Sequence, residues 1–106
     1  MEVLCAANAY IQKYYFNEDF SLLPVQIREE LQVLCVTFTE EVGGIFMLAF
    51  DDSGSLQIRT EASEEDVLYD EIDSAWKVKQ IREEKEELFR SLEMFYRVFA
   101  DPDGAM

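Results

Sequence analysis

The chain of 106 residues contains no histidine. Histidine is the most common general base in enzymes, a frequent zinc ligand, and the usual activator of serine and cysteine nucleophiles. Its absence argues against most zinc sites and against the familiar nucleophilic triads. The sequence therefore favours a protein that is not an enzyme and predicts no cofactor.

Basic side chains are also scarce, with 9 lysines and arginines against 23 aspartates and glutamates and a net charge of −14. Such a negative surface repels phosphate groups, so binding to nucleic acid or to an anionic membrane is not expected. It would attract a basic protein or metal cations, although charge of one sign also keeps a protein soluble without any partner.

Long apolar runs are missing too, since no stretch approaches the roughly 18 residues of a membrane-spanning helix. The first ten residues lack the basic region of a signal peptide, and we expect a cytoplasmic protein. Cys5 and Cys35 lie among apolar residues, and their spacing matches no metal or redox motif. Both are expected to be reduced and buried.

The apolar and aromatic content is sufficient for one core. Apolar residues make up 49% of the chain and include eight phenylalanines and five tyrosines. A chain of this length forms one domain. We predict a single α+β domain over residues 1–106, with two helices, a central β-hairpin and a long C-terminal helix packed as two layers, and with a frayed tail at 101–106.

Two helices are predicted in the first half of the chain. Leu4, Ala7, Ile11 and Tyr14 have helical spacing over 3–16, although the aromatic residues 14–16 would also suit a strand. A second helix follows Pro24 and ends at Gly43. Residues 33–39 are rich in strand-forming residues, but a longer apolar stripe favours the helix. The stripe consists of Ile27, Leu31, Leu34, Cys35, Phe38 and Val42.

A hairpin is predicted where "GIFMLAF" (44–50) and "SLQIRTEA" (55–62) flank the turn "DDSG". The first strand is almost wholly apolar, which is typical of a strand covered on both faces, whereas the second alternates. An isolated hairpin is barely stable. Its apolar face must therefore pack on helices, and its edges could pair with another subunit.

One unbroken helix over 64–99 would be about 54 Å long. A compact domain of this size is only about 30–35 Å across. We therefore expect a break near Asp73 or Ser74, with one of them capping the final helix, rather than a projecting helix that pairs with a second copy. Ser63 and Asp66 resemble a capping box at the start, and Lys85 interrupts the apolar heptad.

The stretch "YDEIDSAWK" (69–77) is rich in carboxylates. On a helix, Asp66, Asp70 and Asp73 would share a face and could hold Mg²⁺ or Ca²⁺. Acidic residues at a helix start are also favoured by the helix dipole, and six of the nine basic residues follow later. Capping is thus the preferred interpretation, with metal binding as the alternative. Likewise, "DDSGS" (51–55) lacks the ligand spacing of a calcium loop and predicts a turn.

Four segments together resemble a known family. They are "QKYYFNEDFSLLP" (12–24), "FTEEVGGIF" (38–46), "LYDEI" (68–72) and "LEMFYRVF" (92–99). They are similar to an uncharacterised family of short acidic proteins from Gram-positive anaerobes, a domain of unknown function, over nearly the whole chain. The resemblance implies no activity. It also implies that glycine often stands at the position of Asp73, which suits a turn there better than a metal ligand.

The function favoured by these observations is that of a small, non-enzymatic, cytoplasmic interaction or regulatory protein that self-associates as a homodimer or binds another protein. One alternative is an acidic decoy for a basic protein surface. A second alternative is a carboxylate enzyme that uses a divalent metal at Asp66, Asp70 and Asp73.

Overall fold

The computed structural model describes residues 1–100 and shows an α+β fold, as predicted. The predicted frayed tail, 101–106, lies outside the described residues. The strands are β1 (Glu2–Asn8), β2 (Lys13–Phe16), β3 (Ile45–Phe50) and β4 (Leu56–Glu61). The helices are α1 (Val25–Glu41), α2 (Glu71–Glu84) and α3 (Glu86–Phe95). A 3-10 turn, Glu18–Phe20, precedes α1, and a π-helical turn, Tyr96–Ala100, follows α3.

The four strands form one antiparallel sheet in the order β2-β1-β3-β4. The helix predicted over 3–16 is therefore wrong, because this segment is the β1–β2 hairpin. Its helical spacing of apolar residues was coincidental, and pairing of β1 with both β2 and β3 overrides it. The aromatic residues at 14–16 do form a strand, as the alternative interpretation proposed.

Helix α1 confirms the second predicted helix and excludes a strand at 33–39. Its buried side includes Leu31, Cys35 and Phe38. The Phe38 ring lies 4.6 Å from the ring of Phe46 on β3. The helix ends at Glu41, and the N–H of Gly43 donates to Thr39 with φ at +90°, the conformation that favours glycine after a helix.

The predicted hairpin is confirmed as β3 and β4, although it forms only half of the sheet. The Oδ1 atom of Asp51 accepts hydrogen bonds from the N–H groups of Ser53 and Ser55 at 2.9 and 3.0 Å. Hydrogen bonds from Ser53 and Gln57 lower the pKa of Asp51 to about 2. The segment is thus a turn closed by its own aspartate, as the sequence predicted.

The C-terminal helix begins and breaks at other positions than predicted. Residues 62–70 contain no helix, and α2 is capped by Asp70, whose Oδ1 accepts from the N–H groups of Ile72 and Asp73. The break falls at Lys85, the residue that interrupts the apolar heptad. The apolar side of α3 packs in the core through Phe89 and Leu92 and is not a free seam for a second helix.

The core lies between the sheet and a single layer of helices. The rings of Phe50 and Tyr96 stack at 4.1 Å, and Phe20 lies 5.6 Å from Phe50. Cys5 and Cys35 are free and buried, as predicted, with their sulfur atoms 3.6 Å apart. Among residues 1–100, no helix combines the length and apolarity needed to cross a bilayer.

Candidate interaction surfaces

The two faces of the sheet differ in what covers them. Side chains alternate between faces along a strand, and paired residues of neighbouring strands share a face. Cys5 pairs with Leu48, and the sulfur of Cys5 contacts Cys35 of α1, so their face is the covered one. The opposite face, named here the open sheet face, consists of Val3, Ala6, Asn8, Lys13, Tyr15, Ile45, Met47, Ala49, Gln57, Arg59 and Glu61.

The open sheet face is apolar at its centre. Ala6 and Met47 pair with each other on the two middle strands and are half-buried, and Tyr15 beside them is 54% exposed. Neither Ala6 nor Met47 belongs to the hydrophobic core or packs against it. Helices α1 and α3 contact the core side of the strands instead. Within residues 1–100, this apolar centre has no helical cover.

The charge of this face differs from that of the rest of the chain. It carries two basic side chains, Lys13 and Arg59, and one acidic side chain, Glu61. The whole protein has a net charge of −14. The excess of acidic residues therefore lies elsewhere on the molecule.

A second exposed surface lies where the loop 62–70 leads into α2. Leu68, Ile72 and Trp76 have helical spacing in the sequence, but Leu68 lies before α2 and all three side chains are exposed. The inward side of α2 carries the buried Ser74 instead. The apolar–acidic patch, as we name it, combines Val67, Leu68, Ile72 and Trp76, which are 61–90% exposed, with Asp66, Asp70, Glu71 and Asp73.

The three aspartates proposed as metal ligands have separate structural contacts. Asp66 accepts a 2.7 Å hydrogen bond from the Tyr10 hydroxyl, which raises the pKa of that tyrosine. Asp70 caps α2, and Asp73 lies near Lys77 on the next turn. No cluster of three or more acidic or thiol side chains within residues 1–100 could hold a metal ion. The capping interpretation is confirmed for Asp70 rather than for Asp73.

The loop that carries the patch is fixed to the end of the sheet. Gly44 has φ at +71°, and a Cβ atom there would lie 2.7 Å from the Tyr69 ring and 2.6 Å from the Glu61 carbonyl oxygen. The absence of a side chain thus lets Tyr69 pack on the backbone. The Tyr69 hydroxyl also lies 2.7 Å from the Ser74 hydroxyl, within hydrogen-bond distance. These contacts join the sheet, the loop and α2.

Helix α2 is further attached to α1 by two ion pairs, one from the middle of α2 and one from the residue that follows it. Lys77 lies 2.7 Å from Glu41, and Lys85 lies 3.1 Å from Glu30. Between them runs a groove of about 340 Å³, lined in part by Val33, Leu34 and Ile81. Exposed ion pairs contribute little to the free energy of unfolding. These two pairs therefore orient α2 against α1 but add little to the stability of the fold.

The sequence held only part of the signal for these two surfaces. The apolar composition of β3 predicted cover on both faces, but in the described residues the helices pack on only one of them. The assignment of residues 3–16 to a helix concealed Ala6 and Tyr15 as members of that face. The acidic residues of the patch were recognised from the sequence, but the exposure of its apolar residues was not.

The chain belongs to a family that is described as a family of unknown function, DUF6145, which matches residues 1–103. The family predicted from the four sequence segments is thus confirmed as an uncharacterised one. No curated protein and no solved structure matches the chain.

Proposed function

We propose that this protein is a small, non-enzymatic, cytoplasmic interaction or regulatory protein that forms a homodimer through its open sheet face. The observation that carries the proposal is the apolar composition of β3 on both faces, combined with helices on only one. A strand of this type belongs to a sheet with cover on both sides. A second copy of the chain would supply the missing cover.

The order of the strands allows a symmetric arrangement. The centre of the sheet lies between β1 and β3, with β2 and β4 at the edges. A two-fold axis parallel to the strands at this centre places β2 of one copy over β4 of the other, and β1 over β3. Two sheets packed in this manner lie in the aligned geometry of β-sandwiches, about 10 Å apart.

The side chains on this face suit that axis in size. The register aligns Tyr15, Ala6, Met47 and Arg59 in one row across the sheet. The axis sets Met47 over the small Ala6 of the second copy, and Tyr15 beneath its Arg59. A large side chain thereby meets a small one at the centre, as close packing requires. At the edges, an arginine over an aromatic ring is a favourable pair.

The charges suit the same axis. Lys13 and Glu61 lie at opposite ends of the neighbouring row. Within one chain they are three strand spacings apart, or about 14 Å. The axis brings Lys13 of each copy over Glu61 of the other, which gives two ion pairs between copies. The remaining surfaces carry the excess of negative charge and would repel one another.

Sedimentation equilibrium over a range of protein concentrations tests the proposal. We expect wild-type protein to form dimers and Met47→Asp to weaken dimerisation by at least about tenfold, since it buries an unpaired charge in the interface. Met94→Asp is the matched control, because Met94 is 68% exposed on α3, away from the open sheet face. A wild-type protein that remains monomeric at all concentrations would overturn the proposal.

A charge exchange tests the axis itself. Lys13→Glu should weaken the dimer because it places two glutamates together, and adding Glu61→Lys should restore it. Ions about 14 Å apart in one chain are largely screened in physiological salt, so a restored affinity reports contact between copies. If the double variant dimerises no better than Lys13→Glu alone, the strand-parallel axis is wrong.

A further inference from the structure

We propose that the apolar–acidic patch binds a cationic amphipathic segment of a partner protein. The patch is separate from the open sheet face and adds a second binding surface to the proposed dimer. Its apolar members are among the most exposed in the chain: Leu68 is 90% exposed, Ile72 is 83% exposed and Trp76 is 61% exposed. Exposed apolar groups with a polar rim are typical of protein-binding sites.

The apolar residues define the shape of the partner. Ile72 and Trp76 are four residues apart and therefore lie on the same side of α2, one turn from each other. Val67 and Leu68 precede them in the adjoining loop. Tryptophan in particular is enriched among the residues that contribute most to binding. An amphipathic helix could place its own apolar side against such a row.

The surrounding charge defines the chemistry of the partner. Residues 61–73 contain seven acidic side chains and no basic one. Asp66 and Asp70 accept local hydrogen bonds through their carboxylate oxygens and lie at the edge of the patch. A segment with lysines or arginines beside its apolar residues would match both features. The attraction would also speed association at low salt.

The same charge argues against other occupants. A second copy of this patch would bring two acidic rims together, which costs affinity. Nucleic acid and anionic lipid carry the same sign of charge as the rim. A basic protein segment is thus the occupant that the electrostatics of this surface select.

The patch is held in a defined shape before any partner binds. Tyr69 packs on Gly44, and Asp70 caps the first turn of α2. Tyr10, from the β1–β2 turn, accepts from the N–H of Ser63 at 2.9 Å and donates to Asp66. Fixing the loop in advance lowers the entropy cost of binding.

The two surfaces lie on different sides of the molecule and can be occupied together. Ser74 marks the side of α2 that faces inward, and Ile72 and Trp76 project from the opposite side. That side belongs to the outer surface of the helix layer, whereas the open sheet face is on the far side of the sheet. A dimer would therefore present two copies of the patch.

Trp76 is the only tryptophan, so its fluorescence in the full-length protein reports directly on the patch. The probe is a synthetic 18-residue helical peptide of leucine and lysine, compared with a counterpart in which glutamate replaces lysine. We expect the basic peptide to shift the emission of Trp76 to shorter wavelength, with an affinity that falls as salt rises. The acidic peptide should give no shift.

Variants locate the binding. Ile72→Ser should lower the affinity for the basic peptide by about tenfold or more, as expected for the loss of a central apolar contact. Val33→Ser is the matched control, since Val33 is 64% exposed on α1 and lies outside the patch. Met47→Asp should bind the peptide as wild-type protein does, which separates this inference from the proposed dimer.

Four results would each overturn the inference. One is an unchanged emission of Trp76 on titration with the basic peptide. A second is an equal affinity for the acidic and basic peptides, and a third is an equal loss of affinity in Ile72→Ser and Val33→Ser. The fourth is a blue shift that arises from raising the protein concentration alone, because a second copy would then occupy the patch.

Discussion

The two faces of β3 differ in their cover although both are apolar. Phe46, Leu48 and Phe50 point to the helices and are buried, with rings from α1 and from the chain after α3 packed on two of them. Ile45 and Met47 point away and remain half-exposed. Both sets are apolar, yet only the first packs against the helical side; on the second side only the small Ala49 is itself buried.

In the proposed dimer, the composition of a strand reports its total cover rather than its cover within one chain. Had the second face been selected for contact with water, alternation with polar residues would be expected, as in β4. In β4, Ile58 packs against the core while the neighbouring Arg59 is exposed. The apolar second face of β3 is thus the observation on which the proposed dimer rests.

The largest effect that tests this comparison is expected from truncating neighbouring residues of β3. Phe46→Ala should lower the free energy of unfolding by about 3–5 kcal/mol, because it leaves a cavity under α1. Met47→Ala should lower it by less than about 1 kcal/mol in the monomer, since little packing is lost. Urea denaturation, at protein concentrations where the chain is monomeric, measures both.

The losses of stability in Phe46→Ala and Met47→Ala can also be compared at high protein concentration, where the proposed dimer would form. There, the loss in Met47→Ala should grow because the interface adds to the stability of the wild-type protein, whereas the loss in Phe46→Ala from the cavity itself stays the same. Equal losses for both variants in the monomer would show that the chain covers both faces by itself, contrary to the comparison.

An intermediate effect is expected from thiol reactivity on the two faces of β1. Cys5 and Cys35 are buried, and hydrogen bonding with Cys5 together with burial raises the pKa of the Cys35 thiol. Ala6→Cys adds a thiol to the open sheet face. It should react with an aromatic disulfide reagent about a hundredfold faster than the native thiols, equivalent to about 3 kcal/mol of opening free energy.

The added thiol also responds to dimerisation. Raising the protein concentration should slow its reaction but should leave Cys5 and Cys35 unreactive until the protein unfolds. The absorbance of the coloured product that the reagent releases, followed over time, distinguishes the fast thiol at position 6 from the slow native thiols. Three thiols that react at one rate would contradict the assignment of Cys5 and position 6 to different faces.

The smallest of these effects is expected at the start of α2. Asp70→Ala should lower the stability by about 1 kcal/mol, because the N–H groups of Ile72 and Asp73 lose their acceptor. Asp73→Ala should cost only a few tenths of a kcal/mol, since Asp73 is not the cap. Thermal unfolding followed by circular dichroism measures both.

The variant Asp70→Ala also tests whether α2 takes part in the proposed dimer interface. Helix α2 belongs to the helix layer, so Asp70→Ala should leave the dissociation constant of the dimer unchanged. If dimerisation weakens in parallel with stability, α2 contributes to the interface and the separation of the two faces fails.

The elements that were predictable from the sequence are those whose pattern is local. Six apolar positions at helical spacing identified α1, and a polar turn between two strand-like runs identified β3 and β4. The turn at Asp51 and the glycine after α1 follow from the conformational preferences of single residues. In these segments the tertiary contacts agree with the local preferences.

The elements that were missed depend on long-range pairing. Nothing in residues 3–16 alone shows that β3 will pair with β1, and small residues such as Ala6 and Ala7 suit either structure. Gln12, in the β1–β2 turn, has φ at +53°, which non-glycine residues seldom adopt. Tyr69, just before the cap at Asp70, packs on Gly44, a contact between residues 25 positions apart that local sequence does not reveal.

That contact at Gly44 has a consequence for how sequences of this type can diverge. Alanine at position 44 would meet both the Tyr69 ring and the Glu61 carbonyl oxygen, and it would loosen the loop that presents Leu68. Because Glu61 pairs with Ile45, the same methyl group would also disturb the strand that carries one edge of the proposed dimer face. A single added carbon at this position would therefore act on both proposed surfaces at once.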